Sequence, residues 1–236
     1  MSTHAFNAWP TPAAGRILAW RHGWLASGLG LALLLGGCAS RSPWKQEAFA
    51  LTVPAAGETG SATHTNIMTL RRVTVSPLFA GKPLVYRTGD NSYEQDPYAE
   101  FLVPPNQMLE ACWGQGLLAG HAFAGVLGPD SDRKSDCAME VSVNQLYGDF
   151  RQPVQPGAVL QMRLMLYSTQ PADYGRVLWQ REFAKRLPLA QRTPAALVAG
   201  WNAGMQEVMA EVNTELTHLA VPETVQLKTV SGDGPR

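Results

Sequence analysis

Cys137-Ala138-Met139-Glu140-Val141-Ser142-Val143 decides the fold class. Apolar Cys137, Met139, Val141 and Val143 alternate with Ala138, Glu140, Ser142 and Asn144, the period of a strand with one face buried. The apolar parity then slips to Leu146 and Phe150, which predicts a β-bulge near Asn144-Gln145. Downstream, Leu160, Met162, Leu164 and Leu166 alternate with Gln161, Arg163 and Met165. Residues 168–176 turn the chain and residues 177–187 return it, so three long strands form a meander. Thr193 is placed to cap a helix with Pro194 in its first position. Leu197, Trp201, Met205, Val208, Val212, Leu216 and Leu219 then recur every three or four residues, an apolar stripe that must cover something.

Upstream, a second helix is expected to open near Pro104-Pro105, with Met108, Leu109, Cys112, Trp113 and Leu117 on one side. Gly114, Gly116 and Gly120 blur its end. A strand over 123–127 and a polar turn over 128–135 link it to the meander. Further back, Leu84-Val85-Tyr86-Arg87 and Ser92-Tyr93-Glu94-Gln95 flank Thr88-Gly89-Asp90-Asn91, a hairpin with Gly89 expected in a left-handed conformation. Residues 67–75 and 48–53 read as strands, separated by a Gly/Ser/Thr-rich loop over 55–65. Strands, a helix, more strands and a last helix give an α+β fold. Its mostly antiparallel or mixed sheet packs against two main helices in a single domain.

Chemistry leaves few marks. His4, His22, His64, His121 and His218 show no ligand-pair spacing. A mixed metal site of His121 with Cys112 and Cys137 lacks a fourth ligand at a recognised distance. There is no P-loop and no G-x-S-x-G elbow. Ser131-Asp132-Arg133-Lys134 matches S-x-x-K without its companion motifs, and Asp130, Asp132 and Asp136 lack the glycine and glutamate of a calcium loop. No catalytic, cofactor-binding or metal site is expected. Cys112 and Cys137 form either a disulfide or two buried thiols. Tyr86, Tyr93, Tyr98 and Phe101 gather around the hairpin, as core or as a partner or lipid surface.

The N-terminal region has a different character. Arg16, Arg21 and His22 precede the first acidic residue, Glu47, and a 12-residue apolar run, Trp24 to Leu35, leads into Gly36-Gly37-Cys38. A spanning helix needs ~20 apolar residues, so the run fits the apolar part of an export signal. The stretch resembles a bacterial lipoprotein signal, which implies removal of residues 1–37 and acylation of Cys38, palmitate included. Residues 38–47 then form a short lipidated tether, 48–221 the domain, and 222–236 a flexible tail. Ala39 and Ser40 replace the aspartate typical of inner-membrane retention, which favours the periplasmic face of the outer membrane. After Cys38 there remain 17 Lys+Arg against 19 Asp+Glu, no basic surplus for nucleic acid.

The ordered set of lipobox, strand, Pro77, Pro83-Leu84-Val85-Tyr86-Arg87, Pro104-Pro105 helix, meander and closing amphipathic helix resembles the ABC-type transport auxiliary lipoproteins, the PqiC/YmbA-like membrane-integrity subunits. It spans about Phe49 to Leu219, and departs from the family where Tyr98-Ala99-Glu100 stands for the usual Arg-Trp-Ala. The resemblance implies a non-enzymatic subunit without cofactor. Its implied partners are an ABC permease and an MCE-type substrate-binding subunit, with self-association a further expectation. Its work would be to move lipid or other hydrophobic cargo between membranes and support envelope integrity. The alternative is a lipid-carrying or assembly lipoprotein that acts alone.

Overall fold

A computed structural model describes residues 46–52 and 61–221. Cys38, the signal segment, most of the tether and residues 222–236 lie outside the described residues. The elements are β1 (Glu47–Phe49), β2 (His64–Leu70), β3 (Thr74–Val75), β4 (Pro83–Arg87), β5 (Tyr93–Phe101), α1 (Pro105–Ala119), β6 (Phe123–Leu127), β7 (Cys137–Asp149), β8 (Gly157–Ser168), β9 (Val177–Pro188) and α2 (Pro194–His218).

β7, at 13 residues, is the spine of the sheet. One of its edges pairs antiparallel with β8 along its whole length, and β8 pairs in turn with β9. The other edge is shared by three short strands, all parallel to it. β2 takes Cys137 to Met139, β3 takes Ser142 and Val143, and β4 takes Gly148 and Asp149. Beyond β2 lies β6; beyond β4 lie β5 and then β1. The sheet is therefore mixed, an antiparallel meander on one side and two parallel arms on the other. The predicted bulge is present, as a register shift between Val143 and Gln145. It returns Leu146 to the buried face opposite Leu160.

Both helices cover one face. Thr193 Oγ1 accepts the amide of Ala196, and Pro194 opens α2 where a missing N–H costs nothing. The stripe Leu197, Trp201, Met205, Val208, Val212 and Leu216 is buried at 1% exposure or less. It lies on Leu160, Met162, Leu164 and Leu166 of β8 in one continuous core. Trp201 donates its indole N–H to Val159 O at 3.1 Å and meets the Phe101 ring at 5.6 Å. In α1, Met108, Leu109, Cys112, Trp113 and Leu117 are buried as their spacing predicts. The glycines that blur this helix in sequence have a packing reason. A Cβ on Gly116 would sit 2.4 Å from Met209 and one on Gly120 2.2 Å from Asn213, so α1 approaches α2 closely there. Asn213 also donates to Gly116 O.

Acidic residues on α2 tie down the edge strand β9. Glu215 pairs with Arg181 and accepts from the Trp179 indole, while Glu207 and Glu211 flank Lys185. These exposed pairs contribute little each, about 0–1 kcal/mol. They do place charge along an open edge, which discourages unwanted strand addition.

Three sequence expectations are corrected. Gly89 does not have positive φ; among the described glycines that conformation belongs to Gly175. The hairpin closes instead through Thr88 N and Gly89 N, both donating to Ser92 O. Residues 67–75 are two strands, because β2 leaves β7 at Leu70 before β3 rejoins it. β5 continues past Gln95 to Phe101, through a bulge at Asp96-Pro97. There the Asp96 carboxylate accepts the amides of Tyr98 and Ala99.

Candidate functional site

Of the residues singled out in sequence, Cys112 and Cys137 are described, and the structure does not bring them into a site. They stand as two buried thiols rather than a disulfide, one in α1 and one at the start of β7. Cys112 Sγ lies 3.5 Å from Leu51 O. Burial, and then Asp136, push the Cys137 thiol up to about 12, which makes it a poor nucleophile at neutral pH. No group of three or more His, Cys, Asp and Glu placed to hold a metal occurs among the described residues. His64 Nε2 is 2.9 Å from Leu216 O, where it serves the last turn of α2. Asp136 accepts from Ile67 N and Gln170, and Asp130 pairs with Arg72, so these acids fasten loops.

The groups the fold does gather lie where β4 meets the end of β7. Parallel pairing sets Tyr86 opposite Gly148 and Arg87 opposite Asp149, so the two residues face opposite sides of the sheet. Tyr86 goes to the helix side. Its ring stacks on Phe150 at 4.8 Å, Arg192 lies over Phe150 at 4.9 Å, and its hydroxyl donates to Asp96 Oδ2 at 2.6 Å. Burial and the adjacent carboxylate hold that hydroxyl protonated far above the usual tyrosine range. One tyrosine thus locks the hairpin, the β5 bulge and the last residues of β7 together.

Arg87 goes to the open side. It donates to the carbonyls of Gly89 and Asp90 and lies 5.8 Å above the Tyr93 ring. Tyr93, Phe79 and Tyr147 form a ring cluster with centroids 5.6–6.0 Å apart. Beside it Asp149, 5% exposed, receives two parallel hydrogen bonds of 3.0 Å from Arg151 and a 3.4 Å contact from Arg186 Nε. The Arg151 hydrogen bonds hold the Asp149 carboxyl down to about 2. Asp90, Gln152 and Gln155 complete a polar cleft of about 330 Å³ around them. The acids and bases in it are mutually paired, and it holds no serine, cysteine or histidine to act as a nucleophile or base. It presents guanidiniums held in place by carboxylates.

A second concavity, of about 430 Å³, runs between α1 and β6. Leu70, Ala111, Leu118, Val126, Leu127 and Pro129 give it an apolar lining. It adjoins a sheet edge, since β6 ends the strand order on that side.

The family described as ABC-type transport auxiliary lipoprotein component matches residues 49–213. The chain belongs to that family. Protein XCC0632 from Xanthomonas campestris shares the fold with a TM-score of 0.62 at 18% identity, over 73% of this chain and 96% of that one. An uncharacterized protein of known crystal structure does so at 0.58 and 17%, over 73% and 99%. No curated protein matches the sequence. The matched span starts in β1 and stops in the last turns of α2, so the family domain and the folded domain coincide. Membership makes this an auxiliary lipoprotein, which points to a membrane-anchored periplasmic protein associated with a transport system, in a non-catalytic role.

Sequence reasoning placed Tyr86 and Arg87 in the hairpin and in the stretch that carries the family resemblance, assigned them no site, and missed Asp149, Arg151 and Arg186. Asp149 and Arg151 pair locally, and the β7–β8–β9 register brings Arg186, 37 residues from Asp149, to them.

Proposed function

We propose that this protein is the lipid-anchored periplasmic end of an ABC transport system that moves lipid or other hydrophobic cargo between membranes. Residues 1–37 direct export, Cys38 carries the acyl chains in the outer membrane, and the domain receives an MCE-type subunit linked to the inner-membrane permease. The observation that carries this reading is the family match over 49–213, which takes in nearly all of the described domain. The two open concavities support a receiving role. One is polar and lined by guanidiniums; the other is apolar beside a strand edge, where an extended segment can add by backbone pairing.

A stand-alone carrier would hold cargo between sheet and helices. That layer is filled by Trp113, Trp201 and Phe101, each 2% exposed or less. No helix among the described residues is long and apolar enough to cross a membrane, which suits anchoring by lipid. Gene deletion, followed by measurement of outer-membrane permeability and lipid asymmetry, tests the proposal. Raised permeability restored by the wild-type gene is expected; unchanged permeability and asymmetry would refute it.

A further inference from the structure

Three large apolar side chains are exposed within six residues at the end of β5: Tyr98 at 43%, Leu102 at 61% and Val103 at 37%. Side chains of this kind, exposed together, mark a contact surface more often than scattered ones do. Their position in the fold identifies what they contact. β1 pairs with this same segment, Glu47 opposite Ala99 and Phe49 opposite Phe101, and Leu102 N donates to Phe49 O at 2.8 Å. The chain therefore enters the domain beside the patch. Nine residue steps separate Glu47 from Cys38, a reach of at most about 30 Å.

We infer that Tyr98, Leu102 and Val103 form a membrane-contact surface, which rests on the lipid leaflet that holds the Cys38 anchor. The inference rests on the proposed lipidation. The sequence between anchor and domain supports a lipid occupant: it contains Arg41, Trp44 and Lys45 and no acid. Basic residues are drawn to anionic headgroups, and tryptophan favours the interface. Within the patch, the carboxylate of Glu100 is paired with Lys82 at 2.8 Å. Exposed Glu47 sets the depth, since an ionised carboxylate stays among headgroups; the contact is interfacial. Acyl chains and an apolar patch are two signals that hold together. They also orient the domain, with β1 and the end of β5 down and the β7–β8 turn, which lies at the opposite end of the strands, away.

The test uses the mature lipidated protein in phosphatidylethanolamine/phosphatidylglycerol vesicles. An environment-sensitive fluorophore is attached at Leu102→Cys and, in a separate variant, at Val154→Cys, which is 89% exposed in the β7–β8 turn. Cys112 and Cys137 are buried, and mass spectrometry confirms that they stay unlabelled. Emission at 102 should shift to the blue and be quenched by a bilayer-embedded quencher, with 154 remaining water-like. Vesicle-bound protein with a water-like label at 102, or equal shifts at 102 and 154, overturns the inference. A shift at 102 that depends on protein concentration without vesicles assigns the patch to a second copy and also overturns it. Protein that lacks acyl mass on Cys38 and stays out of the vesicle fraction refutes the lipidation, and this inference with it.

Discussion

Gly200 and Gly204 lie one turn apart on the face of α2 that meets the sheet, and alanine should act differently at the two positions. Either substitution gains about 1 kcal/mol in a helix interior, because glycine has more backbone entropy to lose. At Gly200 the new Cβ would stand 2.7 Å from the Ala158 Cβ and 2.8 Å from Leu189 Cδ2. Ala158 is fully buried on β8 and cannot turn aside, so α2 must lift from the sheet. Overpacking of this kind costs about 1–3 kcal/mol. At Gly204 the nearest atom is Leu187 Cδ2 at 3.0 Å, the far end of a half-buried side chain that can yield. An off-rotamer adjustment costs about 0.5–1.5 kcal/mol, close to the propensity gain. Gly204→Ala should therefore be near neutral, and Gly200→Ala less stable than it by about 1–2 kcal/mol. Urea unfolding of the Cys38→Ala protein, followed by far-ultraviolet circular dichroism, reads the difference as a lower midpoint at unchanged slope. Gly200→Ala as stable as Gly204→Ala would refute the close approach of α2 to β8.

Other outcomes follow from single contacts. Trp201→Phe loses the bond to Val159 O, whereas Trp113 Nε1 has no hydrogen-bond partner among the described residues. Both lose ring volume, so Trp201→Phe should be the costlier by about 1 kcal/mol in the same urea assay. Native protein should have the same mass with and without reductant and react slowly with thiol reagents; a loss of two hydrogens would show a Cys112–Cys137 bridge. Asp149 titrates near 2 when folded, below its usual value, so its contribution is complete above about pH 4 and is lost as pH falls through about 2. Asp149→Asn should be less stable than wild type at neutral pH, by about 1 kcal/mol at most because its Arg151 partner is well exposed. The gap should close between pH 4 and pH 2, and a gap that widened there would contradict the assigned ion pair.

Local signals carried much of the fold. The alternation from Cys137 to Val143, its slip at Asn144-Gln145 and the stripe from Leu197 to Leu216 each report a burial pattern that neighbours in sequence determine. Pairing between distant segments was not legible. Nothing in Leu84-Val85-Tyr86-Arg87 says that its parallel neighbour is the end of β7, because that choice depends on how β2 and β3 use the rest of the same edge. The continuation of β5 past Gln95 was likewise not legible, because it depends on Asp96 accepting the amides of Tyr98 and Ala99. One signal was present and unused. Glu207, Glu211 and Glu215 recur every four residues, and Arg181 and Lys185 alternate on β9, a charge pattern that pairs this helix with this strand. The contact of Arg186 with Asp149 was hidden for the same reason as the pairing. Asp149 and Arg186 meet through register, and register is a property of the folded sheet.

The central claim is that this domain works as the anchored auxiliary part of an ABC transport system. Affinity purification of the full-length lipidated protein from cross-linked, detergent-solubilised envelopes, with partners identified by mass spectrometry, tests it most directly. The permease, its ATPase and an MCE-type subunit should co-purify with wild type, and should be lost with Cys38→Ala. Wild-type protein recovered from its membrane with none of those components would contradict the account.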